Sequence, residues 1–419
     1  MNHDNKEMYL FFAGGAKEVG KNAVVYKNGN TKFMLDYGIK LNPQPTYPLK
    51  VTDLDIILLS HAHLDHSGFI PYLYEEKEVL LLATFPTLAL SEVLWEDSAK
   101  IMGENLPYEK RNVKKIKSNV FEVEYNTPFR FNDKTIYYYD AGHILGSALI
   151  KIVDSNDFSL LYTCDMNSLD TRMHRGCKSY SADVLILEST YAFKDHEDRR
   201  ELEKKLLDKV KDVLKKDGLF ILPSFAVGRT QELIAILSEL GCTIYVDGMG
   251  NTINEIYLKN RSLINDYNSF LRGMKAVKTI QEERERKKLM HNGGLVIATA
   301  GMLEGGPALK YILNAPKNSE VLFTGYCVEN TNGWRLQHTS KVIVNSHEID
   351  VDIPVDYYDF SAHSGRKELL RFVKECNPKQ IFCIHGDACD QFADELRQMG
   401  YDAISPENGK EYKIALNSL

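Results

Sequence analysis

The stretch from Ser60 to Gly68 reads Ser-His-Ala-His-Leu-Asp-His-Ser-Gly and decides the fold of this chain, because it places three imidazoles and a carboxylate within six positions. His61 and His63 are two residues apart, so in an extended segment both rings project to the same side. The largely apolar, β-prone run at 54–59 before them predicts a buried strand. We therefore expect the cluster at the end of this strand, where open α/β sheets place their ligands.

Four ligand-type side chains at this spacing favour a metal site. A single histidine is more often a hydrogen-bonded or surface imidazole, but that interpretation does not explain the density of this stretch. Neutral imidazole and carboxylate suit Zn²⁺ and neighbouring transition metals, and no thiolate is needed. The stretch therefore predicts a transition-metal site.

The composition is that of a globular protein without export or membrane signals. The 419 residues are 44% hydrophobic and 26% charged, which is enough for two or three domains with a large core. The net charge of -7 argues against bulk attraction of polyanions, so a nucleic acid would be held by a local basic groove or by the metals. Seven cysteines without a CxxC pair predict reduced thiols. Since the N-terminus is polar and no apolar run approaches ~18 residues, we expect a soluble, cytoplasmic protein that does not enter a membrane.

Imidazoles and carboxylates recur where further predicted strands end. Each is a weak signal alone, and a lone Asp at such a place is usually a turn former. Glycines on both sides of His143 predict a tight loop that lets its ring point back to the cluster. The residues of this kind are Asp36, His143, Asp165, Glu188 and His385.

Strand and helix patterns alternate in the middle of the chain. From a charged amphipathic stretch at 194–217 to a strand at 320–326, apolar runs are spaced by helical patterns. This alternation predicts a parallel sheet that is covered on both faces. We therefore place an inserted α/β domain at 195–345, between the first part of another domain at 1–194 and its return segment at 346–419.

The HxHxDH pattern at 61–66, followed by His143 and Asp165, resembles the metal-binding motifs of the metallo-β-lactamase superfamily. The resemblance implies two Zn²⁺ ions, with Mn²⁺ as the alternative, and it implies that Asp36 supports the ligands by hydrogen bonding. The implied ligands are His61, His63, His143 and Asp165 for the first ion, and Asp65, His66, His385 and the shared Asp165 for the second.

Glu188, His363 and His385 resemble motifs A, B and C of the β-CASP branch of that superfamily, which includes polyadenylation-factor nucleases, RNase J and DNA cross-link repair nucleases. This resemblance implies a metallo-β-lactamase αββα sandwich with an inserted α/β β-CASP domain. An acidic motif A with a histidine in motif C is similar to the RNA-processing members, and the overall likeness is to their short archaeal and bacterial types. The implied catalytic residues are Asp65, Glu188 and His363, with Glu188 orienting His363 as a proton donor.

The same resemblance implies a set of RNA contacts. The alternative is that the glycine turns among them only cap helices and shape the fold. Two departures from the family pattern are visible, since Cys164 stands where members commonly have Gly, and the loop at 325–335 diverges from the usual Gly-Tyr-Gln sequence. The implied contacts are Arg229, Gly301, Gly305, Gly306, Ser361 and Ser364.

The function implied by the resemblance is a zinc-dependent ribonuclease that hydrolyses phosphodiester bonds of single-stranded RNA. Cleavage within the RNA and cleavage from its 5′ end both occur on this scaffold, and a homodimer is common among relatives. A lactamase- or thioesterase-type hydrolase is the first alternative, and the inserted region counts against it, because such substrates need no second domain. A non-catalytic RNA-processing subunit is the second, and the intact ligand motifs count against it.

Overall fold

The structure is a computed structural model that describes residues 7–42, 44–75 and 77–414. Residues 1–6, which carry most of the polar N-terminus invoked above, lie outside the described residues. The chain divides into two compact units: the first combines Met1–Leu169, Gly176–Asp195 and His363–Leu419, and the second combines Asp170–Arg175 and His196–Ala362. The predicted domain boundaries at 195 and 345 stay a proposal beside this division.

The first part of the chain alternates apolar strands with helices. Several strands are buried along their whole length, since they are covered on both faces. The strands are β1 (Met8–Gly14), β2 (Ala23–Asn28), β3 (Thr31–Leu35), β4 (Ile56–Leu58), β5 (Leu80–Ala83), β6 (Val120–Glu122), β7 (Phe129–Phe131), β8 (Lys134–Asp140), β9 (Ala148–Asp154), β10 (Ser159–Tyr162) and β11 (Val184–Glu188). The helices are α1 (Leu64–Ser67), α2 (Ile70–Leu73), α3 (Phe85–Met102) and α4 (Lys110–Ile116), with 3₁₀ turns at Gly103–Asn105 and Lys117–Asn119.

The second unit is built around a parallel sheet with helices between its strands. Its order is β14-β13-β15-β12-β16-β19, every pairing is parallel, and β17 and β18 form a separate hairpin. The prediction of an inserted α/β fold is confirmed. The strands are β12 (Leu219–Pro223), β13 (Ile244–Asp247), β14 (Val277–Ile280), β15 (Gly294–Ala298), β16 (Glu320–Phe323), β17 (Lys341–Val344), β18 (His347–Asp350) and β19 (Val355–Tyr357). The helices are α5 (Arg199–Leu214), α6 (Arg229–Leu237), α7 (Gly250–Lys259), α8 (Tyr267–Ala276), α9 (Glu283–Asn292), α10 (Pro307–Asn314) and α11 (Asn332–Thr339), with 3₁₀ turns at Ser238–Leu240 and Arg261–Leu263.

The return segment completes both sheets of the first unit. One sheet has the order β22-β1-β2-β3-β4-β5-β6, and the other has the order β21-β20-β11-β10-β9-β8-β7. The last described strand, β22, pairs antiparallel with β1. The elements of this segment are α12 (Arg366–Cys376), β20 (Gln380–Ile384), α13 (Cys389–Gln398), β21 (Asp402–Ile404) and β22 (Glu411–Lys413).

The two sheets of the first unit pack against each other over one hydrophobic core. Leu10 and Leu58 of one sheet share this core with Ile150 and Ile384 of the other. On its outer face, the first sheet packs its other side chains against α3 and α4, for instance through Trp95. Buried residues of α12 and α13 belong to the core of the second sheet. The predicted αββα sandwich is therefore confirmed.

Strand direction brings the chemistry-bearing residues of the first unit to one edge. β3 and β4 are parallel neighbours, as are β10, β11 and β20, and β8 runs with β10 because both pair antiparallel with β9. Their carboxyl ends carry the candidate site. Three residues at these ends have positive φ, Asp36 at 55°, Cys164 at 49° and His385 at 52°, a backbone conformation that non-glycine residues seldom adopt.

Candidate metal centre

Three histidine rings and one carboxylate form the first ligand group. The ring centroids of His61, His63 and His143 lie 5.0 Å from one another, which makes a nearly equilateral triangle. The Nε2 atoms of His61 and His143 are each 3.6 Å from Oδ2 of Asp165. One ligand atom from each of the four residues lies within 4.8 Å of all the others. The group that the sequence predicts for the first ion is therefore brought together.

A second group of four candidate ligands includes the other carboxylate oxygen of Asp165. Its Oδ1 atom is 3.1 Å from Nε2 of His66 and 3.3 Å from Nδ1 of His385. Asp65 completes the group, with its Oδ2 atom 3.5 Å from Nε2 of His385. Ligand atoms of these four residues again lie within 4.8 Å of one another. The two oxygens of one buried carboxylate thus face two different groups.

The polar atoms at the centre of both groups are buried and unsatisfied. Nε2 of His61, Nε2 of His66, Nε2 of His385 and Oδ1 of Asp165 form no hydrogen bond with any residue that the structure describes. Leaving such atoms without a partner in a protein interior is costly, so a native structure satisfies them with an ion or a solvent molecule. Imidazole and carboxylate donors fit Zn²⁺ and related transition metals. The residues present therefore fit a two-metal centre.

Asp36 organises the ligands from behind. Its carboxylate accepts hydrogen bonds from the Ser60 amide at 2.7 Å, the Ser60 hydroxyl at 2.6 Å and the Tyr162 hydroxyl at 2.7 Å. It also lies 2.7 Å from Nδ1 of His66, which donates to it and leaves Nε2 facing Asp165. The Ser60 hydroxyl is in turn 3.0 Å from Nδ1 of His61. One buried carboxylate thereby orients a histidine of each group.

Two of these supporting residues were missed by the sequence analysis. Ser60 lies inside the quoted stretch, so its place beside His61 was a usable signal. Tyr162 gives no such signal, because an aromatic residue in a buried strand is usually core.

Burial and neighbouring charge act in opposite directions on the pKa values of this site. Burial, reinforced by His66, holds the pKa of His61 well below its usual value. Burial also disfavours the charged form of His66, but the carboxylates of Asp165 and Asp65 outweigh it and hold the pKa of His66 well above its usual value. Burial opposes ionisation of Asp165, yet His385 and His66 outweigh it and keep this pKa well below normal. Asp165 is therefore a buried anion surrounded by imidazoles.

His363 and Glu188 form a third constellation beside Asp165. Glu188 is buried at the end of β11 and accepts a hydrogen bond from the Met166 amide at 2.8 Å. Nδ1 of His363 lies 3.0 Å from Oε2 of Glu188, while its Nε2 lies 3.8 Å from Oδ2 of Asp165. Burial lowers the pKa of His363, but the charges of Glu188 and Asp165 outweigh it and raise this pKa to about 9. Glu188 therefore favours the protonated form of this ring, which lies beside the two ligand groups.

Arg229 and Ser361 both lie in the second unit, and Arg229 contacts the residue that precedes Ser361 in the chain. Arg229 begins α6 and donates from Nη1 to the carbonyl of Phe360. The carbonyl of Ser361 accepts a hydrogen bond from Arg199 at 2.9 Å. Ser364 is fully buried in the first unit, and its hydroxyl accepts from the Ser168 amide at 3.0 Å. These contacts fix the chain on both sides of His363, and the predicted roles in RNA binding stay predictions.

The glycines of the 301–306 loop have different surroundings. Gly305 and Gly306 are exposed and have φ of 91° and 74°, values that favour glycine. A Cβ on Gly306 would lie 2.5 Å from the carbonyl oxygen of Thr299, so the loop also needs glycine for packing. Gly301 is buried against the backbone of Phe225, with a built Cβ 3.1 Å from its nitrogen.

The two departures from the family pattern have local explanations. Cys164 takes a positive φ that glycine, the residue expected here from the resemblance, adopts more readily, and burial holds the pKa of Cys164 well above normal, so it is a thiol. Its Sγ atom donates to backbone carbonyls, that of Asp165 at 3.1 Å and that of Ala148 at 3.3 Å. In the divergent loop, Thr331 caps α11 by accepting from the Trp334 amide at 3.3 Å.

The fold and the site together define a metallo-hydrolase, and comparison with family models identifies the branch. Residues 25–186 match the metallo-beta-lactamase superfamily domain, residues 230–336 the Beta-Casp domain and residues 348–406 the Zn-dependent metallo-hydrolase RNA specificity domain. With the relatives described next, this shows that the chain belongs to the β-CASP branch of the metallo-β-lactamase superfamily. The predicted family is therefore confirmed.

Archaeal relatives align along nearly the whole chain. The protein named Probable RNase MJ4 of Methanocaldococcus jannaschii is 36% identical over 97% of this chain and 100% of its own length. RNase aCSPSF2 of Saccharolobus solfataricus is 31% identical over 97% of this chain and 85% of its own length. Transcription termination factor FttA of Methanocaldococcus jannaschii is 30% identical over 93% of this chain and 68% of its own length.

A solved structure shows the same fold at low sequence identity. It is the crystal structure of a protein of unknown function from Enterococcus faecalis V583, with a TM-score of 0.66 and 14% identity, and the match covers 97% of this chain and 100% of that chain. Among the described residues of the present structure, no helix has both the length and the apolar character that crossing a membrane requires.

Proposed function

We propose that this protein is a zinc-dependent ribonuclease that hydrolyses phosphodiester bonds of single-stranded RNA in RNA processing or decay. The observation that carries the proposal is the pair of ligand groups that share Asp165, one at each of its carboxylate oxygens. That the enzyme acts on RNA is supported by the RNA specificity domain matched at 348–406 and by two relatives that are named RNases.

Two Zn²⁺ ions are the proposed occupants, with Mn²⁺ as the alternative. His61, His63 and His143 with Asp165 would hold the first ion, and the second group would hold the other. When bound, the pair supplies Lewis-acid polarisation of the phosphodiester and lowers the pKa of the attacking water toward ~7. A strong protein base is then unnecessary at neutral pH.

The chain's own residues would handle the protons. Asp65 is the more open carboxylate of the second group, since its side chain is 31% exposed whereas that of Asp165 is 3% exposed, so we assign it to accept a hydrogen bond from the attacking water. His363 is assigned to protonate the leaving 3′-oxygen from Nε2. Glu188 accepts a hydrogen bond from Nδ1–H of His363, which fixes the ring and favours its charged form.

We keep the predicted RNA contacts as part of the proposal. Exposed backbone at Gly305 and Gly306, with its positive φ, offers N–H groups to phosphate oxygens. Ser364 is buried, so its proposed part is to hold Ser168 in place. The remaining proposed contacts are Arg229, Gly301 and Ser361.

Metal analysis together with end-labelled RNA tests this function. We expect two equivalents of bound metal and cleavage of single-stranded RNA, and no comparable turnover of a β-lactam or a thioester. RNA labelled separately at each end, with a 5′-monophosphate or a 5′-triphosphate, distinguishes internal cutting, which we propose as the main mode, from 5′–3′ degradation as an additional one. A metal-loaded chain that leaves RNA intact would refute the proposal.

A homodimer and a cytoplasmic location stay predictions. Light scattering of the purified chain measures the first, and cell fractionation measures the second.

A further inference from the structure

Three loops of the second unit meet at the carboxyl edge of its parallel sheet. β15, β12 and β16 are neighbours in the sheet order and run in the same direction. The loop after β12 contains Phe225, the loop after β15 contains Gly301, and the loop after β16 contains Gly325 and Tyr326. This edge is where sheets of this kind bind ligands.

Phe225 lies between two glycines at this edge. A Cβ built on Gly301 would be 3.5 Å from Cδ1 of its ring, and a Cβ built on Gly325 would be 3.2 Å from Cε2 on the opposite side. Since both flanking positions lack side chains, neither of them covers the ring. Phe225 is 37% exposed, and Tyr326, which follows Gly325 in the chain, is 53% exposed.

The backbone of Phe225 is fixed although its ring is exposed. Its carbonyl accepts hydrogen bonds from the Thr230 hydroxyl at 2.7 Å and from the Thr230 amide at 3.3 Å. The Ser224 amide before it donates to the carbonyl of Ala298 at 2.9 Å, which ties the loop to β15. The edge therefore presents an aromatic ring from a rigid support, which reduces the entropy lost when a ligand binds.

We propose that Phe225 and Tyr326 form a stacking site for bases of single-stranded RNA, an inference that rests on the proposed function. A purine or pyrimidine base has flat faces that pair with exposed aromatic rings, and such stacking tolerates any base sequence. Glycine at 301 and 325 keeps side chains off the two edges of the ring that these residues flank. If the two rings only packed in the hydrophobic core, less of their surface would be exposed to solvent.

Substitutions of Phe225 distinguish stacking on RNA bases from a purely structural role of the ring in its loop. Phe225→Leu keeps apolar bulk and removes the ring, so we expect RNA affinity to fall about 5- to 150-fold, the range measured for loss of one base–aromatic stack. Phe225→Trp keeps a ring and should retain affinity. Tyr326→Leu provides an independent variant at a more exposed position. Phe121→Leu is the matched control, because Phe121 is a 47% exposed aromatic residue on β6 of the first unit.

The probe is a single-stranded oligoadenylate in which one adenine is replaced by 2-aminopurine. Its fluorescence is quenched when the base stacks on a ring, and rapid mixing with the full chain records the quenching before turnover. We expect the fluorescence to be quenched, at some position of the probe base, by the wild-type chain, by Phe225→Trp and by Phe121→Leu. Phe225→Leu and Tyr326→Leu should lose most of that quenching. If Phe225→Leu does not fold, the Tyr326→Leu result decides the proposal.

The outcomes separate this inference from the function on which it rests. RNA cleavage by the wild-type chain without quenching at any probe position overturns the stacking site and leaves the nuclease proposal standing. Quenching without cleavage supports the stacking site and refutes the nuclease. Equal loss of affinity in Phe225→Leu and Phe225→Trp, with quenching unchanged, means that the ring only supports the loop, and that result also overturns the inference.

Discussion

The side chain of Asp165 meets two demands, because it contacts both ligand groups and stays ionised although it is buried. It is 2% exposed, and each of its oxygens faces imidazoles of a different group. Its charge is stabilised by His385 and His66 against the cost of burial. A neutral isostere cannot meet both demands, because an amide offers one acceptor oxygen and one donor nitrogen.

We therefore expect Asp165→Asn to lose bound metal, whereas His363→Ala keeps it. His363 contacts Glu188 and lies outside both ligand groups, so its loss should remove proton transfer alone and reduce cleavage by about 10²- to 10⁴-fold. Elemental analysis of the purified variants and cleavage of labelled RNA measure the two effects. Equal metal loss in both variants would contradict this division of roles.

His174 is a buried titratable residue in the second unit. Burial, opposed by the charge of Glu232, lowers its pKa from 6.5 to about 4, and its Nε2 atom forms no hydrogen bond with a described residue. The folded state therefore binds this proton less readily than the unfolded state. The contribution of His174 to the free energy of unfolding is fully present above pH 6.5 and is lost as the pH falls toward 4.

We expect this single group to contribute up to about 3 kcal/mol of acid destabilisation across that interval. Chemical unfolding of the wild-type chain at several pH values should show the decline, and His174→Gln should flatten it. The exposed His291→Gln is the control and should follow the wild-type chain. If His174→Gln keeps the full slope, this histidine is not the source of the acid sensitivity.

The sequence was most informative for residues whose spacing is set by metal chemistry. His61, His63 and His66 stand together because local geometry alone makes them neighbours. Tyr162 reaches Asp36 only because two sheets face each other, which no local pattern records. The burial of Ser364 could not be predicted either, since its hydroxyl accepts from the Ser168 amide, which is distant in sequence.

At the scale of elements, one helical turn supplies two ligands of the second group. α1 contains both Asp65 and His66, and its position is set by close contact with the loop after β3. A Cβ on Gly38 would lie 1.7 Å from the carbonyl oxygen of Asp65 and 2.6 Å from the amide nitrogen of His66. Only glycine allows this approach.

We expect Gly38→Ala to displace α1 and to lower metal occupancy and cleavage together. Two backbone atoms cannot yield as a flexible side chain would, so the loss of stability should be at least about 2 kcal/mol. Elemental analysis and thermal unfolding measure it. Gly241→Ala is the control, because a Cβ there meets nothing within 4 Å and its left-handed backbone should cost an alanine only about 1 to 2 kcal/mol without loss of metal. Full metal occupancy in Gly38→Ala would contradict the expected displacement.

Element types were easier to predict than element ends. The charged amphipathic stretch at 194–217 forms a shorter helix than its pattern predicts, since Asp198 caps α5 by accepting from the amides of Arg200 and Glu201. The strand expected to run into Asp165 ends at Tyr162. Both differences arise because caps and strand pairing end an element before its sequence pattern ends.

At the scale of the molecule, the two units have separate cores, and all members of both ligand groups belong to the first. A bound ion stabilises only the fold that binds it, so metal and stability are linked in that unit. The sequence predicted an insertion, but it gave no sign that Asp170–Arg175 belongs to the second unit. There Arg172 pairs with Glu203 at 2.6 Å, and its amide donates to Glu232 at 3.1 Å.

We expect chelation to lower the unfolding temperature of the first unit and to leave that of the second unchanged. Removing the ions leaves four buried polar atoms unsatisfied in the first unit alone. Differential scanning calorimetry with and without a chelator should resolve a shifted and an unshifted transition. Asp165→Asn, already without metal, should show no shift. A chelator shift confined to the second transition would contradict the assignment.

The order in which the ligands occur along the chain has a consequence for biosynthesis. His61 to Asp165 leave the ribosome early, but His385 follows the whole second unit, and β20 must then insert beside β11. A polypeptide still being translated therefore lacks a complete pair of cation sites for most of its synthesis. We therefore expect a nascent chain to gain ribonuclease activity only after the segment that carries His385 has been synthesised.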